Sequence, residues 1–180
     1  MAKQFDQIQN VHQTFIEQQK VFFVGTAGAE GKVNVSPKGM DSFRVVGPNR
    51  VIWLSVTGSG NESAAHVAEN GRMTVMFCSF EGAPQILRLY GKAETIYPRH
   101  EKWNELSAEF PAIPGTRQIF DLSVDLVQTS CGMSVPQYDY KSDRTALNEW
   151  AKKKGPDGIA DYWDQKNRAS IDGMPTHILQ

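Results

Sequence analysis

The chain has 180 residues, with 40% hydrophobic, 22% charged and 10% aromatic side chains, which is the composition of one folded domain with a single sizeable core rather than of a disordered segment. Lys+Arg number 19 against 20 Asp+Glu, and the formal net charge of −1 excludes a global attraction to nucleic acid or to an anionic membrane. The longest apolar stretches, such as residues 21–24, fall far short of the ~20 residues of a spanning helix. The polar start MAKQFDQIQNVHQ lacks a signal-peptide core, so a cytoplasmic protein without membrane or nucleic-acid partners is expected. Cys78 and Cys131 form neither a C-x-x-C pair nor a zinc cluster, which fits a reducing compartment.

In residues 3–18, Phe5, Ile8, Val11 or His12, Phe15 and Ile16 recur at three- and four-residue steps, predicting an amphipathic helix. Two β-rich runs, 21–26 and 32–36, follow around a glycine-containing loop and predict a hairpin. A second hairpin pairs 42–46 with 50–56 across Gly47-Pro48-Asn49. The small, polar loop 57–63 then leads into a short helix over 64–71, stopped by Gly71. A third hairpin, 73–79 with 86–96, a helix over 98–110 and a strand over 118–129 complete the central region. The expected class is therefore mainly β with flanking helices, an α+β chain built on a six- to seven-stranded antiparallel barrel. Beyond it, Leu147, Trp150 and Ala151, then Ile159, Tyr162 and Trp163, mark two helices separated by Gly155-Pro156, with an irregular polar end. The organisation read from this is a barrel unit with its N-terminal helix over 1–135 and a helical extension over 136–180, packed on the same domain or on a dimer partner.

Few residues announce chemistry. The glycines of loop 57–63 permit close backbone approach, and the helix start behind them offers unpaired N–H donors to an anion. The same residues equally form a plain turn in which Ser59, Asn61 or Ser63 caps a helix. The loop matches no nucleotide-binding fingerprint. Lys38, after Ser36-Pro37 and before Gly39, sets a cation at a strand end, to hold a phosphate or to sit solvated in a turn. Arg88 lies within Ile86-Leu87-Arg88-Leu89-Tyr90, where a guanidinium must reach solvent or meet an anion. The four histidines show no metal spacing, and no serine or cysteine carries a nucleophile motif.

Taken together, four blocks resemble the pyridoxamine 5'-phosphate oxidase-like, FMN-binding split-barrel family over about residues 20–130. They are Val33-Asn34-Val35-Ser36-Pro37-Lys38-Gly39; Val51-Ile52-Trp53-Leu54-Ser55 running into Thr57-Gly58-Ser59-Gly60-Asn61-Glu62-Ser63-Ala64; Ala68-Glu69-Asn70-Gly71-Arg72-Met73-Thr74-Val75-Met76-Phe77; and Gln85-Ile86-Leu87-Arg88-Leu89-Tyr90-Gly91-Lys92-Ala93-Glu94. The resemblance implies a split β-barrel homodimer with FMN at the subunit interface. Matched position by position, it implies FMN contacts from Val35, Ser36 and Lys38, from Leu54 and Ser55, and from the phosphate loop Asn61, Glu62 and Ser63. Gln85 and Arg88 match the strand that approaches from the partner. Many members carry Ser-Arg-Lys where this chain has Asn61-Glu62-Ser63, so Lys38 and Arg88 are expected to supply the missing positive charge, with Glu62 turned outward or paired. The C-terminal W-x-x-x-R-L-x-P motif of true pyridoxamine phosphate oxidases is absent, and vitamin B6 oxidation is not expected. The implied activity is FMN-dependent oxidoreduction of a small-molecule substrate, with NAD(P)H as a candidate electron donor and the C-terminal helices as candidate covers of the pocket. The alternative is a non-catalytic flavin- or haem-binding sensor on the same barrel.

Overall fold

The computed structural model describes residues 2–180. Their elements run β1 (Lys3–Phe5), α1 (Asn10–Gln18), β2 (Phe22–Thr26), β3 (Asn34–Lys38), β4 (Phe43–Gly47), β5 (Arg50–Val56), α2 (Glu62–Asn70), β6 (Arg72–Cys78), β7 (Ile86–Ile96), α3 (Trp103–Ser107), β8 (Thr116–Ser130) and α4 (Ala146–Lys166). All pairings in the eight-stranded sheet are antiparallel, in the order β3-β2-β6-β7-β8-β5-β4, with β1 added to β8. The sheet curls strongly. Phe22 of β2, next to the β3 edge, and Phe43 of β4, the opposite edge, meet edge to face at 5.0 Å, and both pack on Phe77. β2 and β4 thus meet through aromatic side chains rather than through a ladder of backbone bonds, which leaves the barrel split.

β5 explains where the core sits, because both of its faces are buried. Val51 and Trp53 point into the barrel, with Phe22, Leu89 and Phe120. Ile52 and Leu54 point the other way, into a second cluster with Ile96, Leu106, Phe110 and Ile119. Trp53 lies opposite Phe120 of β8, and their rings stack at 4.4 Å. α2 plugs the barrel with Ala64 and Val67 and ends at Gly71, whose left-handed φ of 72° lets its N–H close on the Val67 carbonyl.

The structure corrects two of the expected helices. The expected helix over 3–18 divides into strand β1 and a shorter α1, which is the eighth strand. Phe5 satisfies helical spacing, but its backbone pairs with Val127 while its ring rests on His12 at 4.6 Å. The helix expected over 98–110 shrinks to Trp103–Ser107, because the backbone from Tyr97 to Trp103 closes three-residue turns instead. The segment 167–180 is irregular, as expected, with one isolated bridge between Ala169 and Pro175, and it is anchored to the rest of the chain. Its ends are drawn together by the Ser170–Met174 and Thr176–Arg168 backbone bonds, it buries Ser170, Thr176 and Ile178, and it takes hydrogen bonds from Tyr97 and Arg99 through backbone carbonyls. α4 is two helical pieces broken at Gly155, as the Gly-Pro pair predicts. Among the described residues no helix is long and apolar enough to cross a membrane, and no group of three or more His, Cys, Asp or Glu could share a metal ion.

Candidate functional site

At the ends of β3 and β5 lies a cleft of about 510 Å³, between the β3 strand on one side and loop 57–63 on the other. It brings together Val35, Ser36, Lys38, Ser55, Asn61, Glu62 and Ser63, all of them expected site residues. Three others lie elsewhere. Leu54 belongs to the opposite apolar cluster, Gln85 lines a separate cleft beside Phe80 and Tyr138, and Arg88, on β7, donates to Ser130 Oγ at 3.2 Å. Within one chain, then, Arg88 does not join Lys38.

The second cation of the cleft is Arg117 of β8. Between Ser55 and Val56 the β5–β8 register slips by one residue, so Arg117 is the unpaired residue of a bulge and its side chain is re-aimed toward the loop. It is 4% exposed and donates to the Gly60 carbonyl at 2.9 Å, to Asn167 Oδ1 at 2.8 Å and to Ser55 Oγ at 3.3 Å. Its Nε–H is buried without an acceptor. Lys38 is half-buried, with its ammonium 5.6 Å from the Trp53 ring centre. Among the described residues neither cation forms an ion pair with a carboxylate. Burial pulls the Arg117 guanidinium down to about 10, and burial together with the Arg117 charge pulls the Lys38 amine down to about 8. One buried and one half-buried cation, neither ion-paired, thus share the cleft.

The loop agrees with this. Asn61 is the N-cap of α2, yet its side chain makes no cap bond; it pairs reciprocally with Gln118 at 2.7 and 3.3 Å. The Asn61 side chain therefore leaves the Glu62 and Ser63 N–H groups uncapped at the cleft, while the Ala64 N–H closes on the Asn61 carbonyl. Glu62, expected to turn outward or to pair with a basic residue, lines the cleft together with Ile171, and its carboxylate accepts the Ile171 N–H at 2.9 and 3.2 Å. On the facing wall, Asn34 donates to Ser63 Oγ and to Thr26 Oγ1, both at 3.2 Å, and accepts from Ser36 Oγ. Thr26 Oγ1 in turn lies 3.1 Å from Nδ1 of the buried His66, so His66 braces the wall from inside instead of facing a ligand. Sequence reading missed Arg117, although Thr116-Arg117-Gln118-Ile119-Phe120 carried the same signal noted at Arg88: a guanidinium inside a run of strand residues.

The fold and the cleft together define a split-barrel protein with a cation-lined cleft at its strand ends. Residues 8–131 match the model of the pyridoxamine 5'-phosphate oxidase family, and the chain belongs to that family. It is 36% identical over 176 residues to the pyridoxamine 5'-phosphate oxidase family protein ustO of Aspergillus flavus, an alignment covering 87% of this chain and 70% of that protein. Among solved structures it is similar in fold to HupZ of Group A Streptococcus, with TM-score 0.53 and 19% identity over 68% of this chain and 99% of that one. A candidate pyridoxamine 5'-phosphate oxidase from Lactobacillus delbrueckii gives TM-score 0.54 and 16% identity over 68% and 94%.

The lowered Lys38 pKa has a pH consequence. Lys38 loses its proton through about pH 8, so affinity for a phosphorylated ligand is expected to fall about tenfold between pH 7 and pH 9, and the Lys38→Met variant is expected to lose this dependence. Ligand-free stability moves oppositely. The unfolded chain holds the Lys38 proton up to its ordinary value of 10.5, so between about 8 and 10.5 the unfolded state binds more protons and stability rises with pH. Titration calorimetry across this range, paired with urea melts, reads both slopes.

Proposed function

We propose that the chain binds FMN in this cleft and acts as an FMN-dependent oxidoreductase on a small-molecule substrate. The observation that carries the reading is the convergence of Lys38, Arg117 and the start of α2 on one cleft, with neither cation ion-paired to a carboxylate among the described residues. Such a site fits the phosphate of a cofactor whose remainder is flat and partly apolar, and Val33 just before β3 and Val35 on it, 73% and 67% exposed, offer it an apolar flank. Bound FMN supplies hydride and electron transfer. The chain's own residues anchor it: Lys38 and Arg117 hold negative charge, while Ser36, Asn34 and Ser63 keep the facing wall in place by their mutual hydrogen bonds.

The exposed flank on β3 is the natural contact for a second copy, and a homodimer would bring Gln85 and Arg88 of the partner subunit to this cleft. NAD(P)H is the proposed electron donor. The cysteines Cys78 and Cys131 are both free, which agrees with a cytoplasmic setting. The cleft walls carry no His, Cys, Met or Tyr side chain to serve as an axial ligand, and this favours flavin over haem.

The visible spectrum of the protein as purified, followed by identification of the released chromophore, tests the reading. Two flavin bands with FMN released, bleached by NAD(P)H and restored by an acceptor, are expected. A colourless protein that fails to take up added FMN would overturn it, and flavin that no reductant bleaches would leave a sensor rather than an enzyme.

A further inference from the structure

The anion site is completed by a residue outside the family-matched segment 8–131. Asn167 follows α4, is fully buried, and spends every polar group on a different element. Its Oδ1 accepts from Arg117 Nη1 at 2.8 Å, and its Nδ2 donates to the Gly58 carbonyl at 3.0 Å. Its backbone N–H donates to the Trp163 carbonyl at 2.9 Å, and its carbonyl accepts from Thr176 Oγ1 at 2.6 Å. The amide can face only one way, because a guanidinium has only donors and a carbonyl only lone pairs.

We propose that Asn167 is a positioning residue for the phosphate of the ligand: its amide ties Arg117 to the glycine loop while leaving the guanidinium charge unneutralised. This rests on the reading of the cleft as an FMN site. The choice of an amide is what matters. An aspartate has nearly the same shape and would pair with Arg117 more strongly, but it would cancel the charge that the ligand needs. The rest of the segment works in the same direction. Trp163 Nε1 donates to Thr57 Oγ1 at 2.8 Å at the start of the loop, and the Ile171 N–H occupies the Glu62 carboxylate. Asp172 pairs with Lys32 Nζ at 2.7 Å on the opposite wall. The segment therefore holds both walls of the cleft and fixes the Glu62 carboxylate on a backbone N–H.

The test compares FMN with riboflavin, which lacks the phosphate, in the full-length parent chain and in Asn167→Asp. FMN affinity is expected to fall at least about tenfold and riboflavin affinity less than about threefold, with the ligand-free melting temperature recorded beside them, since the new ion pair with Arg117 is opposed by an oxygen–oxygen contact where Nδ2 met the Gly58 carbonyl. Equal losses for the two flavins, or no loss of FMN affinity, would overturn the proposal. Should Asn167→Asp not fold, Asn167→Ala decides it, with FMN weakened about threefold or more against unchanged riboflavin; equal effects again overturn it. A parent chain that binds neither flavin would sink the cofactor reading alone. Inorganic phosphate then serves as the probe: a thermal shift in the parent that Asn167→Asp abolishes supports the positioning role, and no shift in the parent, or one that survives in the variant, refutes it.

Discussion

An Arg117→Met variant is expected to bind FMN at least about 100-fold more weakly than the parent chain while remaining folded. Truncating one member of a desolvated charge pair costs roughly 2–5 kcal/mol, or some 30-fold to several thousand-fold in affinity. Arg117 is placed for the upper part of that range, since it is 4% exposed and has no carboxylate to share its charge. Methionine fills much of the same volume. It leaves Ser55 Oγ, the Gly60 carbonyl and Asn167 Oδ1 without their donor, but it also removes a desolvated cation, and the two effects oppose each other in the ligand-free protein. Lys38→Met, at a less buried position, is expected to weaken FMN less. Fluorescence quenching of the flavin on binding measures both, and parent-like affinity in Arg117→Met would mean that the phosphate sits elsewhere.

Gly91→Ala is expected to destabilise the fold by about 3 kcal/mol or more, enough to prevent accumulation of folded protein in a marginally stable chain. Gly91 sits in β7 where the register with β8 shifts between Tyr90 and Gly91. A Cβ there would stand 1.9 Å from the Ser123 carbonyl oxygen and 2.9 Å from its carbon. Both are backbone atoms of a strand paired on two sides, so nothing nearby can give way cheaply. Gly25 of β2 supplies the control: a Cβ at that position would meet Thr74 at 3.9 Å, an ordinary contact, and Gly25→Ala is expected to be near neutral. Urea melts of the two variants compare them directly, and equal midpoints would refute the steric account.

The contrast between these positions shows how far sequence reading reaches in this chain. The hairpins were legible because their strands alternate and their turns carry glycine or Pro-Asn, and β5 and β7 lie where the residue pattern put them. β1 was hidden because three residues are too few to display a period, and Phe5 also fits the register of the helix that follows. Arg117 was hidden by its own bulge, since an extra residue breaks the alternation of β8 at the point where the chain turns a cation into the cleft. Residues 167–180 read as a loose polar end because their anchoring is through backbone carbonyls and N–H groups, which leave no trace in side-chain type. Both walls of the cleft were therefore foreseeable, Val35 to Lys38 on one side and Asn61 to Ser63 on the other, while its second cation and its clamp belonged to parts of the chain that carry no local motif.

The clasp between the last elements and the loop also bears on the order of folding. Glu62 and Ile171 are 109 residues apart, and Lys32 and Asp172 are separated by 140, whereas β6 with β7 and β4 with β5 pair across short turns. Loop closure over such spans is entropically slow relative to hairpin zipping. The sheet should thus acquire its aromatic core before the phosphate site exists, and in a refolding experiment Trp fluorescence should recover ahead of flavin capture. Cofactor loading would then report the final step of assembly rather than guide the early ones.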